Sequence, residues 1–459
     1  MNTKYHFQID QSEKAQQQQQ KYDLEEKFLS RPKNGPEKTI FKLSVKQGVT
    51  TINIISMIMV LFTMLQMLLF YEVSFVYFLQ SEETFNLSTR EASNTVGDLL
   101  FWTQVISIAF DILAGSTHDL NGRRLTIFFG FLIACSAMAV QPWIPSIYPG
   151  ILITRSLIFI GLSGPGSSPL VADYVKNKSR GTASAYIGLA AGIGVIFGMF
   201  VLFGMTKELS YKNSYSIAAA FALSLAVFML FGIKDVKFEK KHVVHLPLKE
   251  KIRVKFNQIK SELSTKIELP LCLLGALICR MLNVISTVYI NLWLSTFFGR
   301  DQESQVQAKT LSASLNGTSM TLALICTCII GILSDKFKPS NIFIIVFGIS
   351  AFGALLFTFN DKPDGIITYI SVICFNIGNQ TQNIAIISLL YKTVEKGTRG
   401  TIIGLSNSMS AIGILILSKL GGFLFEEISI KAPFIFVGIC DALFIILILI
   451  LKKTGKLKK

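Results

Sequence analysis

Six ionisable side chains stand inside long apolar runs: Glu72, Asp111, Arg155, Arg280, Lys419 and Asp441. A charge in hydrocarbon costs at least about 2.5 kcal/mol on insertion scales, so each of these must face a cavity or a partner. Arg280 is followed by Asn283, Thr287 and Asn291 at i+3, i+7 and i+11, which draws one polar stripe down a helix. Asn376, Asn379, Gln380 and Asn383 stand at i, i+3, i+4 and i+7, a single amide-rich face. Such groups recognise ligands: a guanidinium pairs with carboxylate or phosphate, and amides hydrogen-bond hydroxyls or a heterocycle. Hydrogen bonding between helices is the other use of buried amides. Gln66 and Glu72 lie six residues apart, about 240° around a regular helix, so they share a cavity only if the helix kinks. Glu72 is a candidate proton carrier. Asp111 can serve a coupling cation or pair with an arginine on a neighbouring helix, and Asp441 is expected to pair within its own bundle. Arg155 and Lys419 lie nearer segment ends, where long side chains snorkel, and Arg155 can also reach inward. The four histidines, at 6, 118, 242 and 245, fall in tail or loops, and no metal or nucleophile cluster accompanies them.

Such groups need a membrane-embedded scaffold. Of 459 residues 51% are hydrophobic and only 16% charged, against about 25% charged in soluble domains; the mean hydropathy is +0.51. Many apolar runs reach the roughly 20 residues that cross a bilayer as a helix, which excludes a soluble enzyme. Twelve segments are read, at about 50–79, 95–117, 125–145, 148–173, 182–205, 214–233, 269–298, 309–333, 341–359, 365–390, 400–424 and 431–451. The seven cysteines all lie within them and read as small core residues. The domain plan is a disordered cytosolic tail (1–48) containing the run Gln16–Gln20, a six-helix bundle (49–233), a basic cytosolic linker (234–268), a second six-helix bundle (269–451) and a basic cytosolic tail (452–459).

On the side of the termini lie 34 of the 44 lysines and arginines, and on the other side 7. The positive-inside rule therefore puts both termini in the cytosol. Topology thus accounts for most of the net charge of +15, which removes the case for nucleic acid as a partner. The 234–268 linker, ten basic residues against five acidic, suits anionic lipid headgroups. No Gly-x-x-x-x-Gly-Lys-Ser/Thr motif occurs, so neither ATP nor another cofactor is expected.

The two halves resemble each other. Gly115, Asp119, Gly122, Arg123 and Arg124 link segments two and three, while Gly331, Asp335 and Lys336 stand between eight and nine, with glycine and aspartate recurring at an offset of 216. Tyr174 with Arg180-Gly181-Thr182 likewise matches Tyr391 with Arg399-Gly400-Thr401. Repeated six-helix units are a transporter signature. At these residues the chain resembles the major facilitator superfamily, over about 50–451. His118 and Leu120 depart from the family's loop pattern, Lys338 replaces the later glycine of the second copy, and Phe159 stands where the family's fourth segment has a glycine four residues after its arginine, here Arg155. The resemblance implies an all-α polytopic membrane fold of twelve transmembrane helices in two six-helix pseudo-repeats, with segments one, four, seven and ten lining a central cavity. It implies a conformational latch at Gly115, Asp119, Gly122, Arg123, Arg124, Asp335 and Lys336. Gly188, Gly192, Gly194 and Gly198 in segment five read as helix-packing positions.

The function expected is secondary active or facilitative transport, by alternating access, of a small polar organic solute; Arg280 suggests an anion or a zwitterion, and the amide face suits hydroxyls or a heterocycle equally well. Arg280, Asn283, Asn376, Asn379, Gln380, Asn383, Gln66 and Arg155 are the solute-contacting candidates, and Glu72 and Asp111 the coupling candidates. The competing reading is a transport-inactive receptor or structural subunit of a membrane complex, which the loop departures would fit.

Overall fold

The computed structural model describes residues 39–166, 168, 170–176, 179–235, 261–299, 302–394, 399–455 and 457, with backbone alone at 109, 111–121, 172, 180–181, 302, 331–332, 334–336, 391 and 399–401. Long helices occupy all twelve apolar segments among these residues: α1 (Thr51–Gln80), α2 (Thr89–Asn121), α3 (Arg123–Val140), α4 (Ile147–Gly166), α5 (Thr182–Met205), α6 (Tyr211–Gly232), α7 (Glu268–Ser295), α8 (Gln302–Lys336), α9 (Pro339–Thr358), α10 (Ile366–Thr393), α11 (Arg399–Phe423) and α12 (Ala432–Lys453). Ten of them are long and apolar enough to cross a membrane.

Local chemistry sets several boundaries. Ser88 and Glu91 form a capping box at the start of α2, with the Ser88 N–H donating to Glu91 Oε2 at 2.8 Å. Thr50 and Asn53 do the same for α1, satisfying amides that the first turn leaves without partners. Gly122, at φ +84°, turns the chain between α2 and α3 in a conformation that glycine adopts without steric cost. Pro339 opens α9, where its missing N–H has no intrahelical partner to lose.

Within the first half α1 packs on α5, and α3 on α4 and α6; within the second, α10 packs on α8 and α9, α7 on α11, and α9 on α12. The halves are joined where α2 packs on α11, α5 on α8 and α1 on α7. At Gly194 and Gly198 of α5, an added Cβ would stand 2.5 Å from the Phe62 and Gln66 carbonyl oxygens of α1. Those two positions serve close packing; Gly188 faces open space.

The described structure begins before the tail boundary at 48. β1 (Thr39–Ile40) and β2 (Leu43–Ser44) make an antiparallel hairpin, and Val45 bridges Val175. Lys46 N–H donates to the Tyr174 carbonyl and Lys176 N–H to that of Ser44, both at 2.9 Å. Leu43, Val45 and Val49 are buried, so residues 39–48 strap the N-terminal half beneath the α4–α5 connection. Residues 1–38 of the expected tail and 236–260 of the linker lie outside the described residues.

Candidate functional site

Two arginines mark the two halves. Arg155 on α4 is fully buried, so it does not snorkel to an interface. Its Nη2 donates to Glu72 Oε1 of α1 at 2.8 Å, and its guanidinium lies 5.2, 4.5 and 5.2 Å from the ring centroids of Tyr71, Phe75 and Phe159. Phe159, the departure from the family glycine, thus forms one wall of an aromatic box around the cation. The Arg155 Nε and Nη1 have no hydrogen-bond partner among the described residues. Gln66, about one and two-thirds turns before Glu72, is buried with both amide atoms unpartnered among the described residues, and its backbone abuts Gly198 of α5. Gln66 and Glu72 are therefore not brought to one site.

Arg280 on α7 has a different setting. It is half-buried and makes no hydrogen bond, ion pair or ring contact among the described residues. The exposed apolar residue of this stretch is Leu274, 37% accessible. At about 100° per residue, Arg280 lies about 120° and Asn283 about 180° around α7 from it, on the side turned to the bundle. Asn283 is also half-buried. The stripe then passes into structure: Thr287 donates to the Asn283 carbonyl at 3.0 Å, and buried Asn291 accepts from Ser312 Oγ at 2.5 Å and from Asn316 Nδ2 at 3.3 Å on α8.

The amide face of α10 divides the same way. Asn376 donates to Ser319 Oγ of α8 at 2.8 Å, and the Cys279 thiol of α7 donates to the Asn379 carbonyl at 3.4 Å. Gln380 and Asn383 are half-buried and hydrogen-bond nothing through their side chains among the described residues. Asn383 falls between Asn376 and Asn379 around the helix, about 20° and 40° from them, and so faces the sector between α8 and α7. Gln380 lies on the other side of Asn376. Ser312, Asn316 and Ser319, which tie α8 to α7 and α10, went unread in the sequence, although their i, i+4, i+7 spacing puts them on one face.

At the end of the bundle remote from the termini, side chains tie the halves together. Gln80 Nε2 of α1 donates to Ser295 Oγ of α7 at 3.0 Å. Buried Lys309 of α8 donates to the Thr206 carbonyl at 2.9 Å and lies 4.6 Å from the Tyr211 ring centroid. Lys419 of α11 pairs with Asp98 of α2. The close α2–α11 seam depends on Gly97, where any Cβ would collide with the Ser418 carbonyl.

At the terminus-bearing end, the side chains of Asp111, Asp119, Asp335 and Lys336 lie outside the described residues, as do the surroundings of Gly115. The described part of the latch contacts the α4–α5 connection and the start of the linker. Arg123 Nε donates to Asp173 Oδ2 at 3.0 Å, and the backbone N–H groups of Arg123 and Arg124 donate to Asp235 Oδ1 at 2.6 and 3.1 Å, a carboxylate cap on the positive end of α3. Tyr174 clamps the same corner: its hydroxyl donates to the Lys234 carbonyl at 2.9 Å and accepts from the Lys234 N–H at 2.8 Å. Burial pushes that hydroxyl up to about 12, so it stays a donor.

A family model described as Major Facilitator Superfamily matches residues 48–418 and, in a second overlapping match, 272–459. Magnetosome protein MamH of Paramagnetospirillum magneticum is 21% identical over 369 residues, 77% of this chain and 82% of that protein. Among solved structures, the nucleoside transporter NupG superposes with a TM-score of 0.69 at 13% identity, covering 87% of this chain and 99% of the other. A D-xylose-proton symporter gives 0.65 at 14%, covering 86% and 96%. The inward open xylose transporter XylE from E. coli gives 0.63 at 14%, with the same coverage. At such identities these likenesses speak for the fold.

Proposed function

Because the chain belongs to the Major Facilitator Superfamily, a family of membrane transporters and not of enzymes, we propose that it moves a small polar organic solute bearing a carboxylate or phosphate between its two halves by alternating access. The observation that carries the anionic assignment is Arg280, a bundle-facing cation with no protein partner among the described residues. Asn283 and Asn383, half-buried and likewise unpartnered, supply neutral hydrogen bonds for the rest of the solute, with Gln380 at the margin. Asn376 and Asn379 shape that surface by fixing α10 against α8 and α7. Arg155 and Glu72 neutralise each other, so their contribution to solute or coupling requires the pair to open.

Physical reasoning supplies the cycle. The ties at Gln80–Ser295, Lys309–Thr206 and Asp98–Lys419 hold the remote end shut, so a solute reaches the Arg280 face from the terminus-bearing end. Opening the remote end requires all three to break, and a solute bridging both halves offsets part of that cost. With both termini cytosolic, the end held shut is the one away from the cytosol, and the basic charge of the 234–268 linker suits the anionic headgroups of the inner leaflet. The latch at Gly115, Asp119, Gly122, Arg123, Arg124, Asp335 and Lys336, with Asp111 one turn away, belongs to the opposite closed state.

The test is uptake into proteoliposomes from a mixed pool of carboxylates, phosphates, amino acids, sugars and nucleosides, read by mass spectrometry. Arg280→Ala should lower accumulation of the transported anion about 10- to 100-fold, the worth of a charge-assisted hydrogen bond, while insertion is unchanged. Unaltered uptake by that variant would defeat the assignment.

A further inference from the structure

The second half contains a carboxylate that the proposed solute site does not use. Asp441 of α12 is 0% exposed, and neither carboxylate oxygen has a hydrogen-bond partner among the described residues. Ser350 of α9 and Gln382 of α10 lie beside it, outside strict hydrogen-bond geometry with its oxygens. Those two are themselves fully buried, and Gln382 Nε2 donates to Ser350 Oγ at 2.7 Å. Ser350 in turn spends its hydroxyl proton on the Phe347 carbonyl at 3.0 Å. Gln382 Oε1 is a third buried oxygen with no donor.

Three helices thus converge on a cluster rich in acceptors and short of positive charge. Among the described residues the ionisable groups around Asp441 are Cys279 of α7 and its own neighbour Cys440; α9 and α10 contribute the neutral Ser350 and Gln382. Arg280 acts within range of Cys279, as Asp441 does, but forms no ion pair with Asp441. A carboxylate buried without a bonded cation is strongly unfavourable, and the remedy chemistry offers here is a small cation held by oxygen ligands.

We propose that Asp441, Ser350 and Gln382 form a binding site for a monovalent cation, a proton or a sodium ion, between α9, α10 and α12. The carboxylate supplies the charge. Gln382 Oε1 supplies a neutral acceptor, and Ser350 holds the Gln382 amide in place. The site uses none of the solute-contacting residues, although both sites draw on α10.

Thermal unfolding of the purified full chain in lipid nanodiscs tests it in two arms. In one, sodium chloride replaces choline chloride at fixed pH and ionic strength; in the other, pH is varied without sodium. The wild type should gain several degrees in Tm with sodium if that is the ligand, or lose them as pH rises if the ligand is a proton. Asp441→Asn, neutral and of the same shape, should lose that response and unfold near the Tm of the cation-saturated wild type. A wild type indifferent in both arms, or an Asp441→Asn variant with the wild-type response, overturns the proposal. Should Asp441→Asn not fold, Gln382→Ala keeps the carboxylate but removes a neutral oxygen and must move the midpoint of the response; an unmoved midpoint overturns the proposal equally. Because no solute is present, the outcome is read separately from that of Arg280→Ala transport.

Discussion

Arg155 and Arg280 occupy bundle positions in the two halves, on α4 and α7, yet the protein treats them in opposite ways. Arg155 is enclosed by a carboxylate and three aromatic rings, whereas Arg280 is left half-buried and unpaired. Charge within a bilayer is costly wherever it stands, so the difference lies in what offsets the cost. In the first half the fold does so from its own residues, and the arginine becomes a structural joint between α1 and α4. In the second no described residue supplies the offset, which is the condition that the proposed solute role of Arg280 requires.

Removing one partner of the enclosed pair should produce the largest change. Glu72→Ala strands a guanidinium that is fully buried, and breaking a buried pair from one side costs about 3–5 kcal/mol. Thermal unfolding in lipid nanodiscs should show a large drop in Tm, or the variant should not accumulate at all. A Glu72→Ala protein as stable as wild type would mean that the rings and water suffice for Arg155, and the contrast between the halves would lose its basis.

That contrast was only partly legible beforehand. Twelve apolar runs announce twelve helices because hydrophobic length is a local property, and the Arg280 stripe is visible because helical periodicity is local too. The Arg155–Glu72 pair joins residues 83 apart in sequence, and nothing within either segment names the other. Depth along the helix suggested snorkelling for Arg155, while the three rings that hold it inside come from α1 and from one turn further along α4. The hairpin at 39–44 escaped for another reason. Its turn residues, Phe41 and Lys42, have φ of +49° and +60°, a geometry usually signalled by Asn-Gly. Without that signal, the alternation of Leu43, Val45 and Val49 was too short to stand out against a polar tail.

The aromatic box can be trimmed without breaking the ion pair. Phe159→Leu keeps an apolar side chain but removes one of three rings facing the guanidinium, and a cation–π contact is worth about 0.5–2 kcal/mol. A Tm drop clearly smaller than that of Glu72→Ala is expected. The same variant separates two explanations of the departure from the family glycine: if Phe159 serves the box, Phe159→Gly should fall further than Phe159→Leu, because it also exposes the α1–α4 contact. Equal stability for all three proteins would leave the phenylalanine without a structural role.

Arg280 should give the smallest stability change of the set. Its side chain has no hydrogen bond or ion pair among the described residues to lose, and deleting an unpaired charge relieves a desolvation cost. Arg280→Ala is therefore expected within about 0.5 kcal/mol of wild type, the range of substitutions that break no buried network, or slightly above it, even though its transport is proposed to fall. Measured beside Glu72→Ala under the same conditions, it decides whether the halves really differ. An Arg280→Ala Tm as depressed as that of Glu72→Ala would make Arg280 a second structural joint, and the loss of transport would then follow from a damaged bundle and carry no information about the solute's charge. A stable, inactive Arg280→Ala with Arg280→Lys recovering part of the uptake would instead tie activity to positive charge at this position, since lysine restores the charge but not the planar fork that grips a carboxylate or phosphate.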